Sequence, residues 1–313
     1  MAGVRVAVRV TQEATYGTYD ASASTANKMT LLLPGDSAFE GMMTPTIWRL
    51  RSAGYDGRQV RQGTKQWDAK CSVKTKLFPA QADFMLRLAS GIGLSSNCRT
   101  FPSATIDYRY ILEDSGCTIA VERYYGCQVA SFNMNANNQG DGVQVTADVN
   151  WVCQKRLDGT GTDFPEPAGS DYPATDPFLF QDSVGTLTVG SSITNYASLN
   201  LAINNVIQRR WDESTYPMRG KWRSRDITLA IGLLYKDNTF RNAMENQTAL
   251  AVSYGYINAL ADNLLIDLKS QNYVDPFART FPLQGDFEQT VTLRNNLDIG
   301  AGTDFSFTYT PHP

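Results

Sequence analysis

The groups able to do chemistry are few in this sequence, and they are poorly spaced for it. Histidine, the usual general base and metal ligand near neutral pH, occurs once, as His312 beside the C-terminus. No Ser–His or Cys–His dyad and no His-based metal site can be assembled from the body of the chain. The five cysteines, Cys71, Cys98, Cys117, Cys127 and Cys153, include no C-x-x-C spacing, so they read as buried free thiols rather than a zinc set. Glu113 and Asp114 are adjacent acids, but neighbours on a strand point to opposite faces and do not converge on one substrate atom. No phosphate loop, nucleophile elbow, zinc-protease helix or calcium loop is present. The run Gly140-Asp141-Gly142 reads as a turn. Glycoside hydrolysis by two acids is the one enzymatic route that spacing leaves open. Nothing supports it, and no enzyme, metal or cofactor is expected.

Two arginine-rich loops stand out instead. The first spans 51–63 and carries Arg51, Tyr55, Arg58 and Arg61. The second spans 205–220 and carries Arg209, Arg210, Trp211, Tyr216 and Arg219. Solvated loops are one reading. Arg, Trp and Tyr are also the residue types enriched at interface hot spots, and two matching loops favour that second reading. Arginine with aromatics also suits nucleic acid, but a net charge of −3 and a pI near 5.3 weigh against it.

The elements that hold these loops read as strands. Val143, Val145, Ala147, Val149 and Trp151 alternate with Gln144, Thr146, Asp148 and Asn150. Phe287, Val291 and Leu293 alternate with Glu288, Thr290, Thr292 and Arg294, and Ile227, Leu229, Ile231 and Leu233 alternate likewise. This period of two predicts antiparallel sheets with one buried and one wet face. Further strands are expected near 46–51, 65–77, 105–112, 118–124 and 128–135. Short helices are expected at 79–90, ended by Gly91, and at 239–246, with Asn238 as N-cap.

The order of elements repeats. Residues 63–77 match 220–234, and 118–150 match 264–296, with Val145 on Val291 and turns holding Asp141 and Asp286. Each half reads as two strands, a short helix and four strands. Between them, 158–177 holds five acids, four prolines and no base, the composition of an extended linker. The expected division is 1–157, a linker at 158–177, and 178–313. Charge follows it: 17 basic and 13 acidic groups in the first part, 11 and 13 in the last. The stretch 11–41 is polar, Ser/Thr/Ala-rich and longer than an ordinary loop, which suits an arm that either stays mobile or orders against a neighbour. No apolar run is long enough to span a bilayer and the start lacks a signal-peptide core, so a cytoplasmic origin is expected.

The segments EATYGT at 13–18, GCQVASFNMNANNQGDGVQVTADV at 126–149 and TLTVGSSITNYASLNLAINN at 186–205 resemble the tail tube proteins of long-tailed phages. The resemblance covers most of both halves; the acidic linker has no counterpart in it. It implies a mainly β fold of two tandem tube-like β-sandwich domains, each with one short α-helix. It further implies self-assembly into stacked rings whose inner strands join into a β-barrel conducting DNA, with other tail proteins at the tube ends and the virion tail as location. Two fused domains per chain imply a homotrimer ring with pseudo-sixfold symmetry, a homohexamer being the alternative. A tail terminator or baseplate hub ring is the alternative function. The two arginine loops fall where the family reaches toward the adjacent ring. The polar sets Gln144, Thr146, Asp148, Asn150 and Glu288, Thr290, Thr292 are the expected lumen face. DNA is expected to pass without specific binding. Lys70, Lys74 and Lys76 on the polar face of a strand fit an acidic lumen poorly unless acids pair with them.

Overall fold

A computed structural model describes residues 6–24, 27–31, 33, 39–51, 59–91, 101–112, 118–138, 143–160, 162, 164–165, 167–168, 172–173, 175–183, 185–211, 216–234, 239–276, 288–296 and 305–311. Within these, side chains are described outside 46–51 and 59–66 and a few strand ends.

Mainly β structure results, as the alternation requires. The strands are β1 (Val6–Gln12), β2 (Lys28–Leu31), β3 (Phe39–Arg51), β4 (Gln59–Lys76), β5 (Ala104–Leu112), β6 (Thr118–Asn137), β7 (Thr146–Cys153) and β8 (Lys155–Thr160). They continue as β9 (Thr188–Val189), β10 (Ser191–Ser192), β11 (Tyr196–Gln208), β12 (Lys221–Leu234), β13 (Leu250–Ile257), β14 (Asn263–Val274), β15 (Glu288–Asn295) and β16 (Phe305–Thr310). Helix α1 (Pro79–Ser90) follows β4 and α2 (Thr239–Glu245) follows β12. Each run before a helix thus has four strands rather than two. The extra ones, β1, β2, β9 and β10, are short or lie beside polar stretches without clear alternation. The arm at 11–41 therefore contributes β2 to a sheet inside the chain. The separate strands expected at 118–124 and 128–135 are one long β6, which passes Gly126 at φ 60°. A Cβ there would meet the Tyr16 ring at 2.8 Å and Gln154 Cβ at 2.9 Å, so glycine is required.

All pairings are antiparallel. One row runs β3-β4-β7-β6-β11-β12-β15-β14, and the N-terminal parts of β6 and β14 turn away into a second layer. There β2-β1-β5-β6-β8 and β10-β9-β13-β14-β16 form two flanking sheets. Between layers sits an apolar core with Trp151, Phe132, Leu201, Leu229, Val291, Tyr124 and Tyr254 almost wholly buried. Each such side chain contributes about 2 kcal/mol by leaving water.

Helix α1 packs Phe84, Met85 and Leu88 into this core, as its spacing predicted. Pro79 at its first turn suits a position with no hydrogen bond to lose, and Gly91 at φ 67° returns its N–H to Arg87 O at 2.9 Å. The C-terminal carbonyls of α1 are held from beyond the linker: Asn205 Nδ2 donates to Ala89 O at 2.9 Å, and Arg225 donates to Ser90 O. A cation there also offsets the helix dipole.

Two expectations are corrected. Cys71 is a buried thiol as expected, with its pKa pushed well up by burial. Cys127 and Cys153, however, are joined by a disulfide, because the β6–β7 register sets them opposite one another. Cys98 and Cys117 lie outside the described residues. The 158–177 segment is not a free linker where it is described. Asp158 belongs to β8, and Phe164 is buried on Ala7 and Val121 with the Arg9 guanidinium 4.2 Å from its ring. Beneath it a charged row crosses the sheet. Arg9 donates to Asp107 at 2.6 and 3.1 Å, and Arg123 donates to the same carboxylate from the other side. Burial alone would lower the Arg123 pKa; its bonds to Asp107 raise it instead. Among the described residues no helix is long and apolar enough to cross a membrane.

Candidate functional site

The long row of strands has one wet face, and several of the polar residues singled out in the sequence meet on it. Register places Lys76, Thr146, Asn135, Asn200, Ala230 and Thr292 across six consecutive strands. The next row holds Lys74, Asp148, Asn133, Ala202, Thr228 and Arg294. Thr146 and Asp148 thus share a surface with Thr292, brought there by the β6–β11 pairing. Asn150 is exposed one row on, where its Nδ2 donates to Ser131 Oγ at 2.8 Å. Thr290 is exposed on β15. Gln144 precedes β7, and its backbone bridges to Leu179. Glu288 opens β15, and its side chain lies outside the described residues.

Charge on this face is mixed and locally paired. Lys74 lies directly across from Asp148, and Lys70 approaches Asp68 at 3.3 Å. Arg294 lies between Asp275 at 3.3 Å and Asp226 at 3.5 Å; bonding to Asp275, then the nearby charges, raises its pKa. Of the three lysines that fitted an acidic lumen poorly, Lys70 and Lys74 therefore stand by carboxylates, whereas Lys76 lies across from Thr146. Amides fill the middle: Asn200 donates to Asn135, which donates to Asp148 at 3.4 Å. Among the described residues this surface carries amides, hydroxyls and charges of both signs.

The arginine loops divide differently from expectation. Tyr55 and Arg58 lie outside the described residues, and Arg51 and Arg61 are described only as backbone of β3 and β4. In the second loop, Arg209 turns inward. It pairs with Asp68 and donates to Ala69 O at 2.8 Å and Cys153 O at 3.0 Å; burial lowers its pKa to about 10. Arg219 donates to Phe101 O at 2.6 Å and lies over the Tyr16 ring. Burial pushes the Tyr16 hydroxyl up to about 12. Tyr216 is half-buried. Arg210, Trp211 and Met218 remain exposed. Loop composition did not separate the inward anchors from the outward groups, because only the packing of Asp68 and Phe101 distinguishes them.

No constellation for catalysis appears among the described residues. Glu113, Asp114, the 140–142 turn, Asp286, Asn238 and His312 lie outside them. What the described residues present instead is a wet sheet and an exposed loop. The sequence profile of the family described as phage tail tube protein matches residues 3–310.

The chain belongs to the phage tail tube protein family.

No curated protein matches it. Membership makes it a structural component of the virion tail that assembles with itself and with other tail proteins, and its family is not one of enzymes.

Proposed function

We propose that this tail tube protein forms rings of three chains, each chain supplying two tube-fold domains at 1–157 and 178–313, and that stacked rings conduct DNA along the wet face. One observation carries this reading: the pairing pattern of β1–β8 is repeated by β9–β16, and β6 pairs with β11 at the junction. Strands β3-β4-β7-β6 are answered by β11-β12-β15-β14. The position that β11 takes beside β6 is therefore offered again by β14, for the β3 of another chain. Among the described residues β3 pairs with β4 alone. Head-to-tail addition of this kind continues until it closes, and closure removes every open edge.

Two details support that junction. The β3–β4 bulge at Thr46/Ile47 matches the β11–β12 bulge at Val206/Ile207. Aligning the bulges puts Phe39–Thr44 in the place of Leu199–Asn204, the stretch of β11 that pairs with β6. Pro45, which has no N–H to give, falls just past that stretch. The helices differ in the same sense. Helix α1 lies against β11, β14 and β16 and is largely buried, whereas among the side chains described in α2 only Ala243 is fully buried, with Phe240 and Met244 half-covered. The cover that α1 receives from the second half is what α2 would receive from a neighbouring chain.

Electron microscopy of the purified chain tests the reading. Rings of three chains with a pseudo-sixfold outline, stacking into tubes, are expected. Monomers persisting under all conditions would overturn it, and six-chain rings would overturn the two-domain count. Closed rings that never stack would point to a tail terminator or baseplate hub ring. The exposed Arg210 and Trp211 are assigned to the contact between rings, where charge pairs steer and set register. Arg210→Glu combined with Trp211→Ala is expected to leave rings intact and shorten tubes severalfold. Tubes of normal length would remove these residues from the contact. Arg209 is not part of this test, since its loss would disturb the chain's own packing.

A further inference from the structure

Three sulfurs that sequence spacing keeps apart come together in the core. Cys71 on β4, Cys127 on β6 and Cys153 on β7 are buried, with their Sγ atoms within 4.8 Å of one another. Cys71 Sγ lies 3.7 Å from Cys153 Sγ, and Cys153 is bonded to Cys127. Adjacent strands explain the meeting. Cys153 pairs with Ala69, two residues from Cys71, and lies one step beyond the Gln128–Val152 pair. The corresponding positions on β12, β14 and β15 are Leu229, Asn272 and Asn295, where Asn295 Nδ2 donates to Asn272 Oδ1 at 2.7 Å. This architecture therefore fills the place without sulfur, and packing alone does not call for three cysteines.

We propose that in the reduced chain these three cysteines form a site for a thiophilic d10 cation, copper(I) or zinc. Thiolate is the donor such ions prefer. Three sulfurs around one ion at a metal–sulfur distance of about 2.3 Å stand about 4 Å apart, close to the Cys71–Cys153 spacing. No fourth His, Cys, Asp or Glu joins the group among the described residues. Copper(I) is satisfied by three sulfurs, whereas zinc ordinarily takes four ligands, so copper(I) is the better fit. Arg209 donates to the Cys153 carbonyl and brings positive charge beside what would be an anionic metal–thiolate unit.

Disulfide and metal exclude one another. A phosphine reductant and one water convert the Cys127–Cys153 bond to two thiols, the phosphine leaving as its oxide. The cation then takes the place of the thiol protons, which pass to buffer. Because the sulfurs are buried, the ion enters as the chain folds.

The site is independent of the ring reading, and the test is made on the full chain. The chain is refolded under a phosphine with one equivalent of copper(I) in one arm and zinc in the other, then desalted and its metal content measured. One ion per chain is expected in at least one arm, with sulfur-to-metal charge-transfer absorption in the copper arm. Cys71→Ser and Cys71→Ala are expected to hold the ion at least about tenfold more weakly against a competing chelator. A Cys98→Ser, Cys117→Ser chain is expected to hold it unchanged. Circular dichroism confirms that each variant is folded. Retention of no ion in either arm by the folded parent chain, or equal retention by both folded Cys71 variants, would overturn the site.

Discussion

A Met43→Pro chain is expected to fold and to form no rings. Alternate residues of an antiparallel strand direct both their N–H and C=O to the same side. Pro45 sits within β3 opposite Trp67 of β4. A proline is tolerated in a strand where its missing N–H would face away from the existing partner. Met43, two residues earlier and before the bulge, then directs its N–H to the same open side. Its replacement by proline leaves the β3–β4 ladder whole and removes a hydrogen bond from the edge offered to another chain. Leaving the facing carbonyl buried without its hydrogen bond costs about 1–3 kcal/mol, which weakens each such contact by about fivefold to a hundredfold. Every contact in a ring bears this loss. Gel filtration and electron microscopy read the assembly, and circular dichroism melting reads the fold. Thr44→Pro is the contrast: it strikes the opposite side and is expected to lower the melting temperature of the single chain. Rings of normal abundance from Met43→Pro would refute the β3 edge as the junction.

The second large effect lies away from any contact between chains. Asp107 is fully buried between Arg9 and Arg123, with the Tyr19 and Phe164 rings beside the two guanidinium groups. Asp107→Asn keeps the shape and removes the charge that both arginines share. Taking one partner from a buried ionic group costs about 3–5 kcal/mol, because the remaining charge stays desolvated. For a chain of this size that lowers the melting temperature by roughly 10 °C. An apolar triple replacement, Arg9→Met with Asp107→Leu and Arg123→Met, is expected to lie close to the parent, since the desolvation cost goes with the charges. A single-variant loss below about 1 kcal/mol would show that water reaches the row.

The halves illustrate how far the pattern of residues could be followed. Alternation located β4, β7, β12 and β15, because each buries one face and leaves the other wet. Strand pairing sets 63–77 against 221–235, one residue on from the match with 220–234 that the residue pattern suggests. Ala69 pairs with Cys153 as Ile227 pairs with Asn295, and a slip of one exchanges the two faces of a strand. Val149, rather than Val145, takes the place of Val291, since Val73 pairs with the first and Ile231 with the second. Short strands such as β9 and β10 were invisible because two residues have no periodicity.

The sequence by itself determined that the body of the chain carries no histidine, its one His being His312, and that its strands build sheets with one aqueous face. Those are local properties, written in residue types and in a period of two. Tertiary structure alone decided which residues share a surface. The β6–β11 pairing joins Thr146 to Thr292 on one face. The packing of Asp68 and Phe101 turns Arg209 and Arg219 inward while Arg210 and Trp211 stay out. Three cysteines distant in sequence meet because β4, β7 and β6 are neighbours. Each of these depends on strand order and register, which are set by contacts between segments far apart along the chain and so leave no mark in the spacing of residues within any one of them.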